Sequence, residues 1–283
     1  MATTTPGLLT ARTASGRLGF GARRPTSTGE RLASVAAHHF LVYRRTWRGS
    51  IISRFLSPLF FLLSMGLGLG ALVDDSSGGV GGVPYLQFVV PGILAMQAMM
   101  TAFGESTYAV MGYIKWNQMY AAMLATPLGV VEVLGGHLVV VAFHLFTGAA
   151  IFVLVAAAFG ALTSWWAVLA VPVAVLTGLA FAVPTFAFAA RLDNDNGFSV
   201  LFRFVVTPLM LFSGTFFPVD QLPVWMQPVA WVTPLWHGVE LSRDAATGTA
   251  PGGLGVVHLA VLLAYVAVGW VLARGSFSRR LVS

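Results

Sequence analysis

Six long runs of apolar residues constrain the fold of this chain more than any other feature of its sequence. The runs lie at residues 51–73, 86–111, 130–159, 165–190, 200–217 and 256–273. A helix of roughly 20 apolar residues crosses the hydrocarbon core of a bilayer, where every backbone polar group needs a partner within the protein. Only 9% of the residues are charged, against about 25% in soluble domains. The sequence therefore predicts an all-α integral membrane protein with six transmembrane helices.

Basic residues predict how these helices are oriented. When the six runs are threaded through a membrane, Arg243 is the only one of the 16 Lys and Arg residues that falls opposite the N-terminus. Loops rich in Lys and Arg stay in the cytosol, so both termini are expected there. The abundance of Ala, Gly, Val and Arg beside a single lysine is typical of a GC-rich bacterial genome. The predicted location is therefore the bacterial plasma membrane, crossed several times.

The segments before and after the membrane domain, residues 51–275, are predicted to be cytosolic. Residues 1–29 are rich in Thr, Ser, Gly and Arg, which predicts a disordered basic tail, and residues 276–283 are expected to form a second basic tail. Residues 30–50 predict an amphipathic helix lying in the membrane interface. Its apolar positions recur at spacings of three and four, at Leu32, Ala36, Phe40, Tyr43 and Trp47. The helix either only anchors the chain to lipid or also contacts a cytosolic partner.

A tight cytosolic connection joins the second and third runs. Residues 113–125 predict a short helix. Thr126 and Pro127 predict the start of the next one, because Thr caps unpaired N–H groups and Pro suits the first helical turn. A helix joined so closely to a span would transmit force, and its apolar face suits docking into a groove. That face comprises Tyr113, Trp116, Met119, Tyr120 and Met123. The alternative is a plain interfacial helix without a partner.

The chain lacks the phosphate-binding loop of ATPases and a plausible metal centre. Its one lysine, Lys115, follows residues that do not match G-x-x-x-x-G-K-[ST], so nucleotide binding by that route is excluded and no cofactor is expected in this chain. His137 and His144 are two helical turns apart, about 10 Å, which is too far to share one ion. These histidines are predicted to pack through hydrogen bonds.

Residues 213–243 form an apolar segment that cannot be one helix. It contains prolines at positions 218, 223, 228 and 234, and each Pro removes a backbone donor and clashes with the preceding turn. Trp225, Trp231 and Trp236 lie between them, and indole rings favour the headgroup region. The segment therefore predicts short re-entrant helices on the outer side of the membrane, after the fifth span.

Polar residues form a stripe on the second predicted span. Gln97, Thr101, Glu105 and Tyr108 follow each other at helical spacings, and an ionisable residue within a membrane indicates a functional site. Arg54 and Arg203 are the expected partners of Glu105. Glu105 either forms a structural ion pair or takes part in substrate contact or gating. Met96, Met99, Met100 and Phe103 flank the stripe, as an adaptable wall for apolar cargo or as ordinary packing.

Two motifs give the chain a family resemblance. SGTFFPVDQLPVW begins at Ser213, and PLWHGVELSR begins at Pro234. Residues 30–275 resemble the membrane subunit of type-2 ABC exporters. The resemblance rests on these two motifs, the amphipathic entry helix, the six spans and the short helix before Thr126. The branch that the chain resembles includes nodulation-factor and daunorubicin-type permeases. The resemblance implies a separate ATPase subunit that carries ATP and Mg²⁺, and a second permease copy or a related permease.

The resemblance also implies roles for individual residues, none of them catalytic. Coupling to the ATPase is implied for Tyr113, Lys115, Trp116, Met119, Tyr120, Met123, Thr126 and Pro127. The substrate route, between the second and fifth spans, is implied for Met96, Gln97, Met100, Thr101, Phe103, Glu105, Thr207, Met210 and Leu211. An external gate is implied for Phe216, Phe217, Pro218, Leu222, Pro223, Trp225, Pro234, His237 and Glu240.

Three functions are consistent with the sequence. The leading hypothesis is a permease, without catalysis of its own, that exports an amphiphilic or lipophilic substrate such as a drug, a lipid or a lipid-linked saccharide. A secondary transporter or channel is the second, and it would need a charged relay or an inverted repeat. A membrane enzyme acting on lipids is the third. Membrane lipids are expected partners, and nucleic acids are not.

Overall fold

The computed structural model describes residues 27–80, 82–248 and 253–281. Over these residues the secondary structure is helical apart from one isolated bridge between Val80 and Val83. The all-α membrane fold predicted from the sequence is confirmed. Residues 1–26 of the predicted N-terminal tail lie outside the described residues.

The first helix is a single long rod. Helix α1 runs over Thr28–Leu63, a π-helical turn over Ser64–Gly70, and α2 over Ala71–Ser77. It begins at Ser27, whose hydroxyl accepts from the N–H of Glu30, while the Glu30 carboxylate accepts from the N–H of Ser27. Helix α1 therefore continues through residues 50 and 51, where the sequence places the boundary between an interfacial helix and the first span. The junction holds neither a Pro nor a capping turn, so nothing there ends the helix.

The second rod ends at a backbone reversal on the predicted cytosolic side. It consists of α3 (Tyr85–Ser106), α4 (Tyr108–Met111) and a π-helical turn, Gly112–Trp116. Gln118 then adopts a left-handed conformation with φ of 47°, and α5 covers only Met119–Leu124. The short helix predicted at 113–125 is thus shorter than expected, because Gln118 separates its first four residues from the rest.

Helix α6, Val130–Ala158, matches the third apolar run but does not include Thr126 and Pro127, which were expected to start it. Its first turn is capped by Glu132, whose carboxylate accepts from the N–H of Gly129 at 3.0 Å. Thr126 instead donates to the carbonyl of Met123 at 2.6 Å and closes the preceding helix. The expected capping role of Thr126 and Pro127 is therefore wrong, since an acidic side chain in the first turn supplies the cap.

The remaining elements include one helix of intermediate length. They are a 3₁₀ turn (Trp165–Leu169), α7 (Ala170–Ala189), α8 (Asn196–Leu201), a π-helical turn (Phe202–Val206), α9 (Thr207–Phe212), a 3₁₀ turn (Val219–Gln221), α10 (Gln227–Val232), α11 (Pro234–Thr247) and α12 (Gly253–Leu281). The stretch Asn196–Phe212 forms one continuous rod, named here the short rod. Its 17 residues extend about 26 Å, slightly less than a bilayer core.

Five helices in the described chain are long and apolar enough to cross a membrane: Arg54–Ser76, Tyr85–Trp116, Val130–Ala158, Trp165–Ala189 and Leu254–Leu281. The predicted fifth span corresponds to the short rod, and residues 213–217 are not helical. The last of the five continues to Leu281, so the predicted tail at 276–283 is helical over most of its length. Ser276 and Phe277 are buried there, which explains why the helix persists.

Helix α7 lies at the centre of the bundle, against α3, α6, α11 and α12. Small residues allow these helices to approach closely. Gly269 on α12 faces Pro184 on α7 so closely that an added Cβ would lie 2.7 Å from the Pro184 ring. Gly275, two turns later on α12, has no atom within 4 Å of the corresponding position.

Gly269→Ala should therefore destabilise the protein, whereas Gly275→Ala should not. The methyl group at position 269 collides with a rigid proline ring, and overpacking of this kind costs about 1–3 kcal/mol. The melting temperature of the purified protein measures the effect. Equal behaviour of the two variants would contradict the close packing of α12 on α7.

Candidate functional site

The predicted cytosolic end of the bundle is organised around Tyr120 on α5. Its side chain is fully buried, and its hydroxyl lies 2.5 Å from Nδ1 of His137 on α6. The His137 ring stacks on His39 of α1 at 4.7 Å between centroids, and Tyr113 packs edge-on against both rings. Helix α5 is thereby attached to three longer helices through one cluster of rings.

Tyr120 is therefore unavailable as part of a docking face, in contrast to the role implied for it. The other implied coupling residues are at least partly accessible. Lys115, Trp116, Thr126 and Pro127 are exposed, and Tyr113, Met119 and Met123 are half-buried. The Trp116 indole is 65% exposed, which leaves a large apolar group at the surface beside α5.

A second connection at the same predicted cytosolic end lies next to this surface. The ammonium group of Lys115 donates to the backbone carbonyl of Asp193, in the turn between α7 and α8. The Asp193 carboxylate accepts from Arg280 at 2.9 Å, and Arg191 donates to Ser276 at 2.9 Å. Both connections and the end of α12 are thus linked. Sequence reasoning missed Asp193, because nothing in its local pattern indicates these distant partners.

Glu105 pairs with a histidine. Its carboxylate lies 2.7 Å from Nδ1 of His144 on α6. The predicted partners are wrong: Arg54 donates to Thr147 at 2.5 Å, and Arg203 lies on the short rod on another side of α3. Helical spacing places Glu105 on a face of α3 but does not say which helix packs on that face. His137 and His144 both form hydrogen bonds, as predicted.

The predicted polar stripe is divided between two sides of α3. Gln97 and Thr101 face a small cavity of about 30 Å³ that Arg54 and Leu145 also line. Tyr108 instead lines a cavity of about 420 Å³ between α3 and the short rod. The helix breaks at Thr107, where φ and ψ are −99° and −93°. Residues before and after Thr107 therefore do not lie on one face, even when their separation is three or four.

The cavity between α3 and the short rod, named here the α3 cavity, is lined largely by apolar and aromatic side chains. Met100 and Phe103 contribute from α3, Phe198 and Val206 from the short rod, and Arg203 adds a charge. Four other residues implied for the substrate route are not among its lining residues. Met96 is buried, Thr207 and Met210 are half-buried, and Leu211 is exposed.

A larger apolar cavity of about 640 Å³ lies on the other side of the short rod. Phe181 and Pro184 of α7, Leu209 of α9, Trp225 and Tyr265 are among its lining residues. Phe103 lines both cavities. The short rod therefore has open apolar space along two of its sides.

The proline-rich segment consists of short helical fragments, as predicted. Gly214 adopts a left-handed conformation, α11 is capped by Thr233, and Val219, Leu222 and Ala230 form a small apolar cluster. Among the residues implied for the gate, Leu222, Pro234 and His237 are buried, Phe216, Phe217, Pro218 and Glu240 are half-buried, and Pro223 and Trp225 are exposed.

Arg243 holds this segment to the bundle. Its guanidinium donates to Glu240 at 2.7 Å and to the carbonyl of Gly214 at 2.9 Å, and it lies 4.2 Å from the ring centre of Phe88 on α3. It thereby supplies a donor to a non-helical carbonyl. Sequence reasoning named Arg243 only as the exceptional basic residue, although its position three residues after Glu240 indicates an ion pair on one helix face.

Two histidines also join the segment to α12. Nδ1 of His237 on α11 lies 2.6 Å from Nδ1 of His258 on α12. Burial, and secondarily the neighbouring His258, lowers the pKa of His237. Burial raises the pKa of Asp244 on the same helix. The neutral form of His237 is therefore the one that the folded protein favours.

Long apolar helices, an anchored short helix at one end and a proline-broken segment at the other define an all-α, multi-pass membrane protein. The ABC-2 type transporter family matches the chain over residues 30–246. The chain therefore belongs to the ABC-2 type transporter family.

Individual relatives agree with this assignment. The chain is 32% identical over 250 residues to nodulation protein J of Rhizobium leguminosarum bv. viciae, covering 88% of this chain and 94% of the relative. It is 32% identical over 251 residues to nodulation protein J of Sinorhizobium fredii, with coverage of 88% and 94%. The inner membrane transport permease YadH of Escherichia coli is 23% identical over 219 residues, with coverage of 77% and 83%.

Family membership makes this chain the membrane-spanning subunit of an ABC transporter and a multi-pass protein of the bacterial inner membrane. It also implies partnership with an ABC ATPase subunit.

Arg243→Met should loosen the external segment. Loss of two hydrogen bonds to a charged group leaves the Gly214 carbonyl and Glu240 without their donor, at a cost of about 2 kcal/mol. Arg243→Lys should restore only part of this, since an ammonium lacks the planar fork that contacts both acceptors. Melting temperatures would measure both effects. The exposed Arg274 provides the control: Arg274→Met should be neutral, and an equal loss would contradict the anchoring role.

Acidification should weaken the contact between α11 and α12. An unfolded histidine has a pKa near 6.5, and the pKa of folded His237 is lower, so its stabilisation is complete above about pH 6.5 and is lost as the pH falls through the folded value. Melting temperatures at pH 7.5 and 5.5 should differ less in His237→Gln than in the native protein. His38→Gln, at an exposed position, should retain the native difference. An unchanged difference in His237→Gln would contradict the assignment.

Proposed function

We propose that this chain moves an amphiphilic or lipophilic substrate out of the cytosol or the inner leaflet, driven by a separate ATPase subunit. The α3 cavity is the observation that carries the proposal. Its walls are apolar and aromatic, and Arg203 adds a charge that suits a polar or anionic head. Such a lining suits a molecule with one apolar and one polar part, such as a drug, a lipid or a lipid-linked saccharide.

The surface around Trp116 is the proposed contact with the ATPase. The exposed indole lies beside α5, and Tyr120 attaches α5 to α6 through His137. A displacement of α5 would therefore act on α6, and through the Glu105–His144 pair on α3, which lines the proposed route. ATP and Mg²⁺ would bind to the partner subunit, and this chain would perform no catalysis.

A second permease, either a copy of this chain or a related one, would complete the route. The short rod exposes Phe202 and Phe204, the latter to 74%. Large aromatic groups exposed on one membrane helix suit packing against a second permease. The external segment, anchored by Arg243, would then close the route from outside as a gate, with both termini of each chain in the cytosol.

The names of the relatives support a role in transport. One is named an inner membrane transport permease, and others are named nodulation proteins. The alternative is a secondary transporter or channel that needs no ATPase, and the intramembrane Glu105–His144 pair is the observation that favours it, because paired titratable groups can carry protons.

Co-expression with a neighbouring ABC ATPase, followed by purification and reconstitution into vesicles, tests the proposal. Export is supported if the ATPase co-purifies with this chain and a panel of amphiphiles stimulates ATP hydrolysis and is transported only with ATP. Transport that persists without the ATPase, and that follows a proton gradient, would instead support the secondary transporter.

Trp116→Ala should weaken association with the ATPase, because a large exposed apolar group is the type of residue that dominates interfaces. A loss of about 2 kcal/mol, or roughly 30-fold in affinity, is expected. Trp165→Ala removes a similarly exposed indole near the other end of the bundle and serves as the matched control. Pull-down of the ATPase measures both variants. Normal association of Trp116→Ala would contradict the proposed contact surface.

A further inference from the structure

A groove of about 640 Å³ is lined by α1 and α6 and shares no lining residue with the α3 cavity. Its walls are mostly aromatic or aliphatic, and the residues used below are Phe40, Arg44, Phe143, Phe146, Ala150 and Ile151. The Phe40 and Phe143 rings meet edge-on at 4.9 Å and close one part of it. The roles implied by the family resemblance do not involve its lining residues, although Phe40 and Tyr43 belong to the apolar face of the predicted interfacial helix.

The groove is charged at one end and apolar along the rest. Arg44 is exposed and follows Tyr43, whose ring lies 5.0 Å from His144. From His144, the groove continues along α6 to Ile151, about 10 Å further towards the end of the helix. Arg44 lies ten residues before Arg54, where the candidate span of α1 begins, and from there the groove follows α6, which is itself long and apolar enough to cross a membrane.

The geometry points to this groove as a binding site for one anionic phospholipid, whose headgroup meets Arg44 and whose acyl chain lies between Phe143 and Ile151. Basic side chains at the cytosolic membrane surface attract anionic headgroups. Arg44 is exposed and lines the groove, so its charge can meet such a headgroup there.

A resident lipid fits this location better than transported cargo. The α3 cavity is lined by α3 and the short rod, whereas this groove is lined by α1 and α6. A lipid here would support the contact of Tyr43 with His144, and thereby the helix that carries the partner of Glu105. Binding of a lipid here depends on residues of α1 and α6 and does not require that the protein export a substrate.

Native mass spectrometry of the purified full chain tests whether the groove prefers an anionic headgroup. The protein, titrated with phosphatidylglycerol or phosphatidylcholine, should retain one phosphatidylglycerol preferentially. Arg44→Gln should weaken that binding about five-fold, the effect of removing one basic group near an anionic surface. Arg274→Gln, at another exposed arginine, is the matched control and should bind normally. Equal binding of both lipids, or equal loss in both variants, would overturn the proposal in favour of unspecific lipid contact.

A photoreactive phosphatidylglycerol with a diazirine in its acyl chain tests the groove in the native protein. Labelling should map to residues 143–151 of α6. Ala150→Trp should abolish it by filling the groove, whereas Ala267→Trp, on an exposed position of α12, should not. Labelling of the native protein at Met100 or Phe198 in place of α6 would overturn the proposal, because the lipid would then occupy the α3 cavity. The labelled site in the native protein can be mapped without any variant, so this result does not depend on whether the variants fold.

Discussion

The absence of hydrogen-bonding partners in a lipid core is the constraint on which this structure depends. Backbone groups there must be satisfied within the protein, and the long helices satisfy them internally. Where the helices break, side chains take over. Thr107 donates to the carbonyl of Phe103 at 2.7 Å beside the break in α3, and Arg243 donates to the carbonyl of Gly214 beside the non-helical turn. Each interruption thus carries its own local compensation.

Both ends of the bundle are held by single side chains with several partners. At one end, Tyr120 joins α5 to α6 through His137, and its ring also packs against Tyr113 and against Phe277 on α12. Arg243 joins α11 to Gly214 and to Phe88 at the other. The Glu105–His144 pair lies between them and connects α3 to α6. A movement at either end therefore has a physical connection to the helix that lines the α3 cavity.

Several features could be predicted because they depend on local chemistry. The helical class follows from the apolar runs, and the broken external segment follows from its prolines. The partners of Glu105 could not be predicted in this way, because spacing along α3 does not reveal that α6 packs against it. Thr126 illustrates a different limit. Thr126 followed by Pro127 suits the start of a helix, but Glu132 caps α6 and the Thr126 hydroxyl closes the helix before it. The sequence offers two possible helix caps within seven residues, and only the path of the backbone shows which one is used.

The sequence alone determined that this chain is an all-α membrane protein of the ABC-2 type, since hydropathy, charge asymmetry and the two motifs are local properties. Tertiary structure decided which side chains meet: His144 with Glu105, Tyr120 with His137, and Arg243 with Gly214. It also decided that α1 continues without a break and that the polar stripe of α3 divides between two faces. These outcomes depend on how helices pack and where their axes break, and residues far apart in the chain determine both.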